Sequence, residues 1–206
     1  IMKGRSMCPH CTHQLGFWDL LPVFSWLYLR GKCRYCRASI GWQYPLVEIS
    51  TMLLAALSYL VWPYPLQGVE WLWFGFWILY LVGFMALTVY DLRWYLLPDQ
   101  IVFPLIGLAV LQVVLQAIQQ QDVWYLVRAG IGLTVVGGLF FVLYQVSDGK
   151  WIGGGDVKLG YMLGLLAGGA AQGMLLVFVA SLLGTFAAIP MLVTKKIHKG
   201  SQLPFG

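Results

Sequence analysis

The chain has 206 residues, of which 60% are apolar, 16% aromatic and only 10% charged, with ten tryptophans. An ordinary soluble domain carries about 25% charged residues, so this composition excludes a water-soluble globular protein and points to an integral membrane protein. Thirteen basic residues outnumber eight acidic ones; they gather at the ends of apolar runs instead of on a soluble face, which indicates membrane orientation and no nucleic-acid partner.

Residues 1–45 form a polar segment bearing arginines and cysteines. No cleavable signal pattern opens it, because Ile1–Cys8 is polar and basic. The chain begins with Ile and stops at Leu203-Pro204-Phe205-Gly206, so we expect a piece of a longer protein. Its four cysteines stand as Cys8-Pro9-His10-Cys11 and Cys33-Arg34-Tyr35-Cys36, with 21 residues between the pairs. Each C-x-x-C turn aims two sulfurs at one point, and two such turns make a tetrahedral thiolate site. Zinc is the expected metal, at Cys8, Cys11, Cys33 and Cys36; iron, free thiols and disulfides are the alternatives. Four sulfurs leave no open coordination position. The metal is therefore expected to be structural, folding a segment too small for its own core, with His10 and His13 as solvated loop residues.

Six apolar runs follow, at about 46–62, 71–90, 101–118, 124–146, 157–171 and 173–194. A spanning helix needs roughly 20 apolar residues, with about 17 as a practical minimum. The second, fourth and sixth runs meet this comfortably, the first and third are marginal, and the fifth is short, with its end blurred by Gly168-Gly169. Pro104 and Pro190 lie inside runs, where membrane helices tolerate them as kinks. We detect no internal repeat.

Six spans return both ends of the chain to one side, together with the loops 91–100 and 147–158. That side holds twelve of the thirteen basic residues; the other keeps Arg128, with Glu70 and Asp122. The positive-inside rule places the basic side, including residues 1–45, in the cytosol, where disulfides do not persist. Arg128 is expected to snorkel to the outer interface, and Glu48 to pair with an arginine of the cytosolic segment.

The same topology brings two aspartates to one leaflet. Asp91 follows the run Trp71–Tyr90, and Asp156 closes Gly153-Gly154-Gly155-Asp156 before a helix-like stretch from Val157. Carboxylates at the edge of a bilayer are costly and by default functional. Asp156 has a plainer reading as a helix N-cap, and Asp91 as a surface residue neutralised by Arg93. Yet Asp156, Gly160, Gly164 and Gly168 recur every fourth residue, on one helical face, and a small-xxx-small face permits close helix packing. The carboxylate then points into a helix interface, where a second one nearby would share its proton. Asp99, after Pro98 and before an apolar run, reads as a helix N-cap.

With these residues the chain resembles the type IV prepilin peptidases, bacterial membrane aspartic proteases of the GxGD class. The resemblance covers nearly the whole chain: Gly4-Arg5-Ser6, Leu21-Pro22-Val23, Ser25-Trp26-Leu27, Leu29-Arg30-Gly31-Lys32-Cys33 and Tyr44-Pro45-Leu46-Val47-Glu48 in the first part. Asp91 with Leu97-Pro98-Asp99 looks like the first catalytic motif, Gly153-Gly154-Gly155-Asp156-Val157-Lys158-Leu159 like the second, and Leu203-Pro204-Phe205-Gly206 like the segment before the last helix. Family members usually carry a further helix before the cytosolic loop and continue past that last segment.

The resemblance implies an all-α polytopic helix bundle in the bacterial cytoplasmic (inner) membrane, surrounded by lipid. A cytosolic four-cysteine zinc module would occupy 1–45 and a transmembrane aspartic protease domain 46–206. It implies catalytic roles for Asp91 and Asp156, with type IV prepilins or pilin-like secretion and competence proteins (pseudopilins) as substrates, cut after a glycine between a basic cytosolic leader and an apolar helix. Many members also methylate the new N-terminus with S-adenosylmethionine, and residues 1–45 are the natural place for that activity. Two other classes compete. A membrane electron-transfer subunit would use the cysteines for an iron-sulfur-type site, but His10, His13 and His198 lie outside every run, which disfavours haem. A proton-coupled transporter would use both aspartates as a relay but leaves the cysteine segment unexplained.

Overall fold

The computed structural model describes residues 6–193, so Gly4-Arg5, His198 and Leu203-Pro204-Phe205-Gly206 lie outside the described residues. The chain divides into two compact units, Ile1–Phe74 and Gly75–Gly206. Among the described residues the fold is all-α, with two isolated antiparallel bridges in the first unit.

Those bridges reveal a repeat that the sequence hides. Met7 pairs with Gln14, and Lys32 with Ser39. Inside each bridge the first cysteine N–H donates across the turn: Cys8 to His13 O at 3.0 Å, Cys33 to Ala38 O at 2.8 Å. Each turn closes through a left-handed residue, Thr12 (φ 55°) or Arg37 (φ 60°). The two knuckles are thus one backbone motif used twice, although only their cysteines match in sequence. Between them lie a 3₁₀ turn at Phe17–Asp19 and the short helix α1, Phe24–Tyr28; α2, Gln43–Leu60, follows. The Val23 N–H donates to Glu48 Oε2 at 2.7 Å, and the Trp26 and Trp42 rings meet at 4.2 Å, which ties the knuckles to the first turns of α2. Glu48 therefore takes a backbone donor in place of the expected arginine. Val23 sits at φ 61°, a costly conformation for a β-branched residue, and its N–H, turned out of any helix, needs an acceptor.

The remaining helices are α3 (Glu70–Trp94), α4 (Asp99–Gln120), α5 (Val123–Val146), α6 (Gly154–Ala167) and α7 (Ala170–Val193). Each expected apolar run thus becomes one helix. Asp122 caps α5 by accepting from Trp124 N at 2.9 Å and also holds Arg128 at 2.6 Å. Gly168, at φ 71°, ends α6 in the left-handed conformation that glycine adopts without penalty. Helices α3, α4 and α5 are long and apolar enough to cross a membrane, with mean hydropathies of 2.0, 2.4 and 2.1. The third run, marginal in length, thus lies in a 22-residue helix that continues across Pro104 and is the most apolar of the three. The described apolar part of α7, Ala170–Phe186, is shorter, and α6 has only 14 residues. Exposed Trp77, Leu79, Val82, Leu111, Val142, Phe178 and Leu183 leave an apolar surface of the kind that faces lipid. The chain is an integral membrane protein.

Small residues set the core of the second unit. A Cβ on Gly164 of α6 would lie 2.4 Å from the Gly132 carbonyl oxygen of α5, and one on Gly160 would lie 2.7 Å from the Phe140 ring. The small-residue face of α6 therefore packs on α5 with backbone against backbone, as its spacing predicts. Buried Val102, Ala109, Ala129, Val136 and Met162 fill the space among α4, α5 and α6.

Gly164→Ala should destabilise the protein by about 1–3 kcal/mol, since the new methyl meets backbone that cannot move aside. Gly138→Ala, where a Cβ meets nothing within 4 Å, should be neutral or stabilising by up to about 1 kcal/mol. Thermal unfolding in detergent distinguishes them, and equal stabilities would contradict the packing.

Candidate active site and metal centre

Asp91 lies within the last turn of α3, which runs on to Trp94 instead of ending at Tyr90. It is only 8% exposed, an unusual position for a carboxylate. Arg93, on the same turn, stacks over Trp94 at 5.6 Å. The chain leaves α3 through Tyr95, at φ 50°, whose N–H donates to Asp91 O at 2.9 Å. A short linker then reaches Pro98, whose extended backbone starts α4.

Asp156 is the third residue of α6, and Gly153 is the N-cap. Its Oδ2 accepts from the Gly153 N–H at 3.1 Å. The capping alternative is thus realised in modified form, from inside the helix looking back, as in a capping box. The motif's third glycine has a separate duty. A Cβ on Gly155 would fall 2.8 Å from Leu97 Cβ, so the first aspartate's linker rests directly on the backbone beside the second aspartate. Asp91 is near enough for its charge to act on half-buried Asp156. Like charges at short range in a poorly solvated place favour one shared proton over two ionised groups.

Asp99 differs from its expected role. It is the first residue of α4 and not the N-cap; its Oδ1 binds Lys158 Nζ at 2.5 Å, and Lys158 also lies 5.2 Å from the Phe103 ring centroid. The ion pair joins the first turns of α4 and α6 and neutralises the third carboxylate of this end. Sequence reasoning missed it because its partners are 59 residues apart; the only signal was a lone Lys and a lone Asp in charge-poor surroundings. It also missed Ser147, buried at the end of α5, whose Oγ accepts from Trp151 N at 3.3 Å and so orders the loop leading into the glycines.

In the first unit the four cysteine sulfurs lie within 4.8 Å of one another, and all four cysteines are free. Cys8 Sγ and Cys36 Sγ are 3.8 Å apart. A tetrahedral ion with metal–sulfur bonds of about 2.3 Å requires sulfur separations of roughly 3.8 Å, so the donor set fits a metal. The backbone N–H groups of Cys11 and His10 hold the Cys8 thiol down at about 6. At Cys36 the Ala38 N–H pulls the same way, but desolvation and the thiols of Cys11, Cys33 and Cys8 outweigh it and push the thiol up to about 11. Two sulfurs of one cluster are thus pushed in opposite directions, and a cation accepting both would relieve the conflict. His10 and His13 stay outside the cluster; His13 stacks on Tyr35 at 3.6 Å.

Comparison with known proteins agrees with both halves. Residues 1–62 match the bacterial peptidase A24 N-terminal domain, and residues 77–189 match the type IV leader peptidase family. The chain belongs to the type IV leader peptidase family. A prepilin leader peptidase/N-methyltransferase of Stutzerimonas stutzeri is 36% identical over 98% of the chain and 67% of its own length. Proteins of the same name from Aeromonas hydrophila and Neisseria gonorrhoeae are 34% and 35% identical over all of the chain and 68% of theirs. No solved structure matches the chain. The family's two regions carry, in this chain, the cysteine cluster and the aspartates respectively.

Titrating the reduced, metal-free protein with cobalt(II) should develop thiolate-to-metal absorption that saturates at one equivalent. Cys33→Ser should weaken binding strongly, because Cys33 is one of two buried donors. Saturation at a different ratio, or an unchanged titration in the variant, would contradict a single four-sulfur site.

Proposed function

We propose that this protein is a prepilin leader peptidase of the bacterial cytoplasmic membrane, an aspartic endopeptidase whose catalytic pair is Asp91 and Asp156. What carries the reading is the placement of a buried carboxylate at the end of α3 close to Asp156, with Leu97 seated on Gly155 between their motifs. One aspartate, ionised, takes a proton from the attacking water. Its protonated partner donates a hydrogen bond to the scissile carbonyl and stabilises the oxyanion that forms. When the tetrahedral intermediate collapses, the proton passes to the departing amine, and the pair regains its single shared proton. Lys158 is already engaged with Asp99, which keeps a cation from fixing the charge of the pair.

The substrates of this reading are type IV prepilins and pseudopilins. Their basic leaders stay in the cytosol while their apolar helices lie in lipid, so the scissile bond sits at the membrane boundary. The twelve-to-one distribution of basic residues supports a position of both aspartates at that boundary, by the positive-inside rule. The relatives' name pairs peptidase with N-methyltransferase. We assign the second activity here as well, with S-adenosylmethionine as methyl donor and the first unit as its location. In that unit Cys8, Cys11, Cys33 and Cys36 hold structural zinc, which crosslinks the two knuckles. No nucleic acid takes part.

Asp91→Asn and Asp156→Asn should each lower cleavage of a prepilin by about 10²–10⁴-fold, the usual contribution of one acid or base, with membrane insertion and metal content unchanged. Asp99→Asn removes only a half-exposed ion pair, worth about 0–1 kcal/mol, and should stay within a few-fold of the parent. Normal cleavage by Asp91→Asn combined with loss at Asp99→Asn would move the first role to Asp99. Elemental analysis of the purified protein should find zinc at one per chain, and iron in its place would overturn the metal assignment.

A further inference from the structure

The first unit contains a basic cavity that neither peptide cleavage nor the metal centre uses. It is a half-open depression of about 460 Å³ lined by Tyr28, Leu29, Arg30, Arg34 and Arg37. Three of its five lining residues are arginines, in a chain that is only 10% charged. Among the described residues the acid that pairs with them is Asp19, whose Oδ1 lies 2.7 Å from Arg34 Nε. Asp19 is itself held by the Gly16 N–H at 3.1 Å and the Tyr35 hydroxyl at 3.2 Å. It positions Arg34 and offsets one charge of three. Among the described residues neither Arg30 nor Arg37 has an ion-pair partner. Both are presented from left-handed backbone, at φ 51° and φ 60°, a conformation costly for a residue with a side chain and retained where surrounding structure imposes it. An uncompensated cluster of guanidinium groups is a site for an anion, and phosphate oxygens match its fork of donors.

The surroundings indicate where the phosphate comes from. Bonds to Glu48 and the Trp26–Trp42 contact hold this segment at the first turns of α2, and α2 exposes Leu53, Leu57 and Leu60 as lipid-facing residues do. Phe24 and Tyr28, at either end of α1, are 73% and 81% exposed, an apolar ring and an amphipathic one of the kind that sit at the headgroup boundary. The basic leader of a prepilin would be repelled by the same cluster. We propose that the cavity formed by Tyr28, Arg30, Arg34 and Arg37 binds the phosphate of an anionic phospholipid on the cytosolic leaflet. The site docks the metal-binding segment onto the membrane. This inference rests on the cytosolic placement of residues 1–45 but not on the catalytic assignment of the aspartates.

The test is native mass spectrometry of the full chain released from bilayers containing phosphatidylglycerol and phosphatidylcholine, comparing the parent with Arg30→Gln/Arg37→Gln. Metal content serves as the control for folding, and prepilin cleavage is measured separately, so that failure of this site and failure of the peptidase reading are told apart. The parent should retain one phosphatidylglycerol per chain, resistant to excess inorganic phosphate. Loss of two basic residues, at about 1 kcal/mol each near an anionic surface, should weaken retention about 30-fold. Equal retention by parent and variant would overturn the proposal, as would equal retention of the neutral lipid. Displacement by inorganic phosphate alone would make the ligand a soluble phosphate and overturn the lipid assignment.

Discussion

The approach of α6 to α5 is closer than any side chain would permit, and the position of Asp156 follows from it. With Gly132 and Gly164 in backbone contact and Gly160 under Phe140, α6 has no freedom to rotate or slide without opening voids or driving methyl groups into carbonyls. Its first turn is then fixed in height and azimuth, and the carboxylate one turn before Gly160 is fixed with it. In a bilayer, where water does not reward apolar burial between helices, such close van der Waals packing is a principal source of association. The same feature that stabilises the second unit therefore aims its second aspartate.

The first aspartate is fixed by a different device. Asp91 is carried by a long apolar helix whose depth in the membrane is set by its own length and hydropathy. The linker after it is short, and Leu97 rests on Gly155. The ion pair between Asp99 and Lys158 joins the helices on either side of this contact. One linker, one glycine and one exposed ion pair thus connect the segments that carry two carboxylates far apart in sequence, and of these the ion pair contributes least. In the first unit the analogous constraint is the matched pair of knuckles, which gathers four sulfurs into a donor set that fits a metal ion.

Much of this was legible in the sequence, and for identifiable reasons. Apolar runs report helices directly, because a lipid-embedded backbone has few alternatives to helix; the six runs became α2 through α7. Paired cysteines and the four-residue spacing from Asp156 to Gly168 also transfer to three dimensions, since both are local geometry. Three features were not legible. The twin knuckles share hydrogen bonds but not side chains, so sequence shows no repeat. Glu48 and Asp99 were expected to meet an arginine and a helix terminus, and instead meet Val23 N–H and Lys158, partners selected by tertiary packing. Helix ends moved as well: α3 outruns its apolar run by a full turn and thereby draws Asp91 inside.

If Asp91 and Asp156 act as one acid/base unit, as proposed, the Asp91→Asn/Asp156→Asn double variant will show it in its rate. Residues that work as a unit are non-additive, because removing either already disables both. Single-turnover prepilin cleavage by the double variant, on the full-length protein with its metal retained, should fall within a few-fold of the slower single variant. Losses that multiply, with the double variant slower by the product of the two single effects, would show two independent groups and contradict the shared-proton pair.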